Sequence, residues 1–88
     1  MSKYRIKKGL ISEKLSSKIT IFDGDKSVLY TLNDSASFIF QKIKNGHDKK
    51  KIIDALAKHY DIRHEKAEKD VNELINDLIV RKIIVLIK

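Results

Sequence analysis

The stretch SVLYTLNDSASFIF, residues 27–40, changes its period half-way along. Val28, Tyr30 and Leu32 fall on one side of an extended chain, and Ser27, Leu29 and Thr31 on the other. That two-residue alternation is the mark of a strand. From Asn33 onward the spacing becomes helical: Ala36, Ile39, Phe40 and Ile43 share one face. Asn33 or Asp34 supplies a side-chain oxygen that accepts from the first free N–H groups of that helix. A strand that runs straight into a capped helix orders what lies around it, with sheet before and helices after.

Upstream, SKITIFD (17–23) alternates more cleanly, with Ile19 and Ile21 on one face and Thr20 and Phe22 on the other. DGDK (23–26) joins it to the strand 27–32 as a hairpin, and Gly24 is the residue expected to take a positive φ there. GLISEKL (9–15) reads as a weaker strand anchored by Leu10 and Leu15. MSKYRIKK (1–8) is a basic arm, flexible or a ragged first strand. The domain reading is therefore an arm, 1–8, and a single domain, 9–88.

Downstream, Gly46 suits the left-handed position that ends the first helix. Asp48 caps a second helix, whose Ile52, Ile53, Leu56, Ala57 and Tyr60 form one stripe. YDIR (60–63) leads into a third, from about His64 to about Lys82, with a broad apolar face made by Ala67, Val71, Leu74, Ile75, Leu78 and Ile79. IIVLI (83–87) closes the chain as a strand or as more of that helix. The expected class is α+β and winged-helix-like: an N-terminal three-stranded antiparallel sheet followed by a three-helix bundle.

Composition narrows the function. At 88 residues there is one modest core and no room for a deep catalytic cleft. The absence of cysteine excludes disulfides, thiolate metal sites and a cysteine nucleophile. His47, His59 and His64 lack metal-ligand spacing and read as surface residues. Ser35 and Ser37 sit in a first helical turn, where capping accounts for them. Glu65, Glu68, Asp70, Glu73 and Asp77 read as the solvated side of helix three. No catalytic residue, metal or cofactor is expected. No apolar run follows Met1, and 83–87 is far too short to span a bilayer, so the expected setting is cytoplasmic with no membrane partner.

The formal net charge of +7 raises nucleic acid as a partner. Helix three argues against it: five acidic residues stand against Lys66 and Lys69, and acids facing phosphates oppose binding. A winged-helix DNA-binding or regulatory protein is kept as the alternative reading. The more distinctive feature is the strand 27–32. If three strands follow one another as hairpins, it is an edge, and neither proline, inward charge nor bulge blunts it. Two occupants stay open: an extended peptide added as a further strand, or the chain's own segment 83–87. An unblunted edge also pairs with itself, which implies a weak homodimer.

These residues carry a family likeness. YTLNDSASFIFQKIKNG (30–46) resembles the part of PqqD-like proteins where a strand ends in Leu-Asn and a helix closes on Gly. KKKIIDALAKHYDI (49–62) is similar to the family's second helix, and DVNELINDLIVRKII (70–84) to its closing segment. The likeness covers roughly residues 9–85. It implies a recognition element for precursors of ribosomally synthesised, modified peptides (RiPPs). Such a module is non-catalytic. It binds the precursor's leader as a strand and presents it to a radical SAM enzyme, a cyclase or a leader protease. By position, Val28, Leu29, Tyr30 and Thr31 correspond to the receiving strand and Asn33 to the residue that ends it. On helix three, Glu68, Asn72, Ile75 and Ile79 are assigned to the leader, and Ala67, Val71, Leu74 and Leu78 to packing. One departure is Lys82-Ile83, where the family commonly has Gly.

Overall fold

The change of period at Asn33 is where sheet gives way to helix. The computed structural model describes residues 3–87; Met1 and Ser2 of the expected arm, and Lys88, lie outside them. The elements run β1 (Lys3–Ile6), β2 (Leu10–Leu15), β3 (Lys18–Asp23), β4 (Val28–Thr31), α1 (Asp34–Lys44), α2 (Lys49–Tyr60), α3 (His64–Val80) and β5 (Ile84–Ile87). Both expected caps form. Asn33 Oδ1 accepts from the Ala36 N–H at 2.8 Å, and Asp48 Oδ1 from the Lys51 N–H at 2.9 Å. Each satisfies one donor that a helix start leaves unpaired.

The α+β class holds, with two sheets in place of one. β2, β3 and β4 form an antiparallel sheet in that order, with Ile21 opposite Ser12 on one side and Tyr30 on the other. β1 and β5 form a second, two-stranded sheet, in which Tyr4 faces Leu86 and Ile6 faces Ile84. Residues 3–6 are therefore a strand held by the chain's end, with Tyr4 buried in the core. The alternation of a lone basic octapeptide is too weak to announce a partner so distant in sequence.

Ile19 and Ile21 from β3, Phe40 and Ile43 from α1, Ile52 and Leu56 from α2, and Val71 and Leu78 from α3 meet in one core. Buried Ser37 joins sheet to helix. Its hydroxyl accepts from the Ile19 N–H at 2.8 Å and donates to the Leu32 carbonyl at 3.2 Å. The expected capping role falls to Asn33, and Ser37 instead completes the end of the β3–β4 ladder, where a bare N–H would be buried.

Two turns differ from expectation in which residue takes the left-handed backbone. Between β3 and β4 it is Ser27, at φ 54°, and not Gly24. The buried Asp23 carboxylate holds that turn by accepting from the Asp25 and Lys26 N–H groups at 3.1 and 3.3 Å. After α3 it is Lys82, at φ 61°. The Lys82 N–H donates to the Ile79 carbonyl at 3.0 Å and the Ile83 N–H to the Leu78 carbonyl at 2.9 Å. This is the closure that glycine usually makes. It stops the helix at Val80, so residues 84–87 form a strand and do not extend α3.

Candidate functional site

β4 is bonded to β3 on one side and to no strand on the other, among the described residues. The chain's own closing strand goes to β1, which settles the internal alternative for this edge. The Leu32 N–H donates to the Ile19 carbonyl at 2.9 Å. In an antiparallel ladder the direction of bonding alternates. Tyr30 therefore points its N–H and C=O at β3, and Leu29 and Thr31 point theirs outward. Two donors and two acceptors line the open side. β2 bounds the sheet at its other end, but there Glu13 and Lys14 are exposed and Lys44 Nζ reaches Ser12 Oγ at 3.3 Å.

What sets the β4 edge apart is the helix facing it. A cleft of about 230 Å³ runs between them, lined by Leu29, Tyr30, Thr31 and Leu32 from the strand side and by Asp77, Leu78, Arg81 and Ile83 from the other. A second hollow of about 380 Å³, sharing Asp77, continues past Asn33 and the start of α1, with Asp70, Glu73 and Leu74 on its helix wall. Arg81 spans the first cleft. Its Nε donates to both Asp77 carboxylate oxygens, at 3.0 and 3.1 Å, and its guanidinium lies 5.4 Å from the centre of the Tyr30 ring. The hydrogen bond and charge of Asp77 raise the Arg81 pKa above its ordinary value. Lys26 Nζ sits 3.4 Å from the Arg81 carbonyl at the same end.

Most of the strand half of the sequence reading lies on this cleft: Leu29, Tyr30 and Thr31 line it, whereas Val28, the first residue of β4, does not. The helix half does not. Ile75 is only 3 % exposed and belongs to the core, and Glu68, Asn72 and Ile79 line neither part of the cleft. The reason is phase. At 3.6 residues per turn, Asp70, Leu74, Asp77 and Arg81 share one side of α3, and the stripe 68, 72, 75 and 79 is turned roughly half-way round. Leu74, assigned to packing, is half-buried on the cleft wall, and Leu78 serves both core and cleft floor. Asp77, which reads from the sequence as part of the solvated side of α3, lines the cleft together with Arg81. Their four-residue spacing was the available signal, but only the docking of α3 reveals which side meets β4.

A third hollow, about 510 Å³, lies on the far side of α1. Phe38 stacks on His59 there at 4.5 Å, Tyr60 meets both rings edge-on, and Lys42 lies 5.1 Å from the Phe38 ring centre. The rings are satisfied by one another, which fits packing between α1 and α2. His59 and His64 are exposed, as expected, whereas His47 is half-buried. Among the described residues no group of three or more His, Cys, Asp or Glu is placed to hold a metal, and no helix is long and apolar enough to cross a membrane.

A family model described as coenzyme PQQ synthesis protein D (PqqD) matches residues 19–84. The chain belongs to the PqqD family. The match starts in β3 and ends in β5, so β4, α3 and the cleft between them lie wholly within the PqqD region. Two solved structures share this PqqD fold. One is TbiB1 in complex with the TbiA(beta) leader peptide: 16 % identity over 91 % of this chain and 93 % of that one, TM-score 0.86. The other is a lasso peptide synthetase B1 complexed with the leader peptide: 22 % identity over 94 % of this chain and 98 % of that one, TM-score 0.86. No curated protein sequence matches the chain.

Proposed function

We propose that this PqqD-family chain is a recognition element for a RiPP precursor, a non-catalytic module that binds the leader as a strand beside β4. The single observation that carries the reading is the open β4 edge facing α3, left free because β5 pairs with β1. Membership of the family, and two proteins of this fold solved with leader peptides, support it. Leu29 and Thr31 exchange backbone bonds with the leader. Tyr30, Leu74, Leu78 and Arg81 receive its inward side chains, in place of the stripe 68, 72, 75 and 79. The bound leader is presented to a modifying enzyme or leader protease, and a ribosomal product meets the module in the cytoplasm. Without a leader the same edge pairs weakly with a second copy, and leader competes with that dimer.

Each strand bond contributes about 1 kcal/mol net, because it replaces bonds to water. One or two buried apolar side chains add about 1.5–3 kcal/mol each. Association and ordering consume much of the sum, which leaves an affinity around micromolar, about −8 kcal/mol. The test is amide hydrogen exchange with and without a RiPP leader peptide that the chain binds. Leu29 and Thr31 gain protection, Tyr30 changes little, and α2 stays as it was. Protection confined to Lys49, Lys50 and Lys51 would refute strand addition in favour of a purely electrostatic partner.

A further inference from the structure

The cleft is not uniform along its length. At the Val28 end stand Lys26 and Arg81, the first within 3.4 Å of the second's carbonyl. At the Asn33 end stand Asp70, Glu73 and Asp77. Some of these charges already have partners: Asp77 holds Arg81, and Lys66 Nζ lies 3.2 Å from Asp70. What remains is the exposed carboxylate of Glu73 at one end and, at the other, the exposed ammonium of Lys26 against the Arg81 carbonyl, while the half-exposed Arg81 guanidinium is held by Asp77 over the Tyr30 ring. A protein of net charge +7 would by itself attract anions everywhere. The cleft departs from that field, because it sets a carboxylate where one end of an added strand must pass.

We infer that the cleft reads charge as well as shape: it takes a leader segment with a basic side chain at the Glu73 end and an acidic one at the Lys26–Arg81 end. The inference rests on the leader reading above and deepens it. Geometry sets the spacing. Glu73 and Arg81 are eight residues apart on α3, about 12 Å at 1.5 Å per residue. An extended peptide covers that in between three and four residues at about 3.4 Å each. Both side chains must face the helix, so the separation is even, and four is the nearest even step. Antiparallel pairing is the more stable per residue, and it runs the peptide from the Asn33 end to the Val28 end. The bound segment therefore carries Lys or Arg first and Asp or Glu four positions later.

The experiment selects binders of the intact chain from a random display library of peptides about fourteen residues long. The most enriched peptide is then synthesised in two forms, as selected and with its two charges exchanged. The expected result is enrichment of the basic-to-acidic pattern at that spacing. In fluorescence anisotropy at low salt the selected form binds about threefold to tenfold more tightly than the exchanged one, a size set by exposed ion pairs. The gap closes as salt screens it. Glu73→Gln, an exposed change that adds no new charge beside Asp77, abolishes the preference for the basic residue, with the helical spectrum unchanged. Peptides that protect the Leu29 and Thr31 amides yet carry no charge pattern, or bind equally in both forms, overturn this inference and leave leader recognition standing. Selected peptides that never protect those amides overturn both.

Discussion

Replacing Thr31 by proline tests the open edge at a single atom. The ladder between β3 and β4 uses Tyr30 and Leu32, as the Leu32 N–H to Ile19 carbonyl bond fixes by alternation. The Thr31 N–H is therefore free for an added strand and irrelevant to the fold. Proline removes that donor and puts its ring where the leader backbone would lie. Thr31 is exposed and ends its strand, a place where proline is tolerated on an edge. The expected cost to stability is under about 1 kcal/mol. For binding, one bond worth about 1 kcal/mol net is lost, and the leader carbonyl that used it is left without a partner, about 1–3 kcal/mol more. The sum, about 2–4 kcal/mol, weakens binding by about thirtyfold to a thousandfold.

Tyr30→Pro is the control, because one position along the parity is reversed. It removes an N–H that points into the ladder and leaves its carbonyl partner on β3 unpaired, so it costs the fold about 1–3 kcal/mol. Urea denaturation reads the first quantity and anisotropy with labelled leader the second. A Thr31→Pro chain that is folded and binds leader like the parent would show that the peptide does not use this edge.

Three further outcomes follow from the same geometry. Ile79→Ser, on the side of α3 turned from the cleft, leaves leader affinity within about twofold, whereas Leu74→Ser on the cleft wall weakens it at least about tenfold, or about 1.4 kcal/mol; paired titrations decide. Lys82→Gly relieves a left-handed backbone that carries a Cβ at φ 61°, and raises stability in urea by about 1 kcal/mol. Ser37→Ala strips the partner from the buried Ile19 N–H and costs about 1–3 kcal/mol in the same assay.

Local chemistry was what the sequence could display. The caps at Asn33 and Asp48, the hairpin strands and the stop at Gly46 are each set by neighbours within a few residues, and all were legible. What escaped needs the third dimension. Tyr4 is buried where β1 packs against α1 and pairs with β5, from the far end of the chain. The edge strand was readable because alternation gives its two faces, and Val28 to Thr31 lie where they were expected. The helix wall was not. An amphipathic pattern reports which side of α3 is apolar, not which flank of that side looks toward β4. Leu74 and Ile75 are equally apolar neighbours, yet one lies on the cleft wall and the other in the core. Choosing between them takes the crossing of α3 over the sheet.

That crossing is also what keeps the edge open. After Val80 the chain could have run on as a strand and covered β4 itself. Instead Lys82 enters the left-handed region and turns the backbone sharply, with Ile83 tied to Leu78. Ile83 and Ile84 drop into the core, each only 1 % exposed, and β5 leaves toward β1. β1 in turn gives β5 the partner that would otherwise have to come from β4. The arm and the tail thus satisfy one another, and Ile83 fills the cleft floor without contributing a strand to its edge. The edge that remains is short: β4 has four residues, and two of them face outward. So short an edge is a weak template for indiscriminate pairing. On the reading proposed for this cleft, its side chains supply the rest of the affinity, and the edge alone does not choose the peptide.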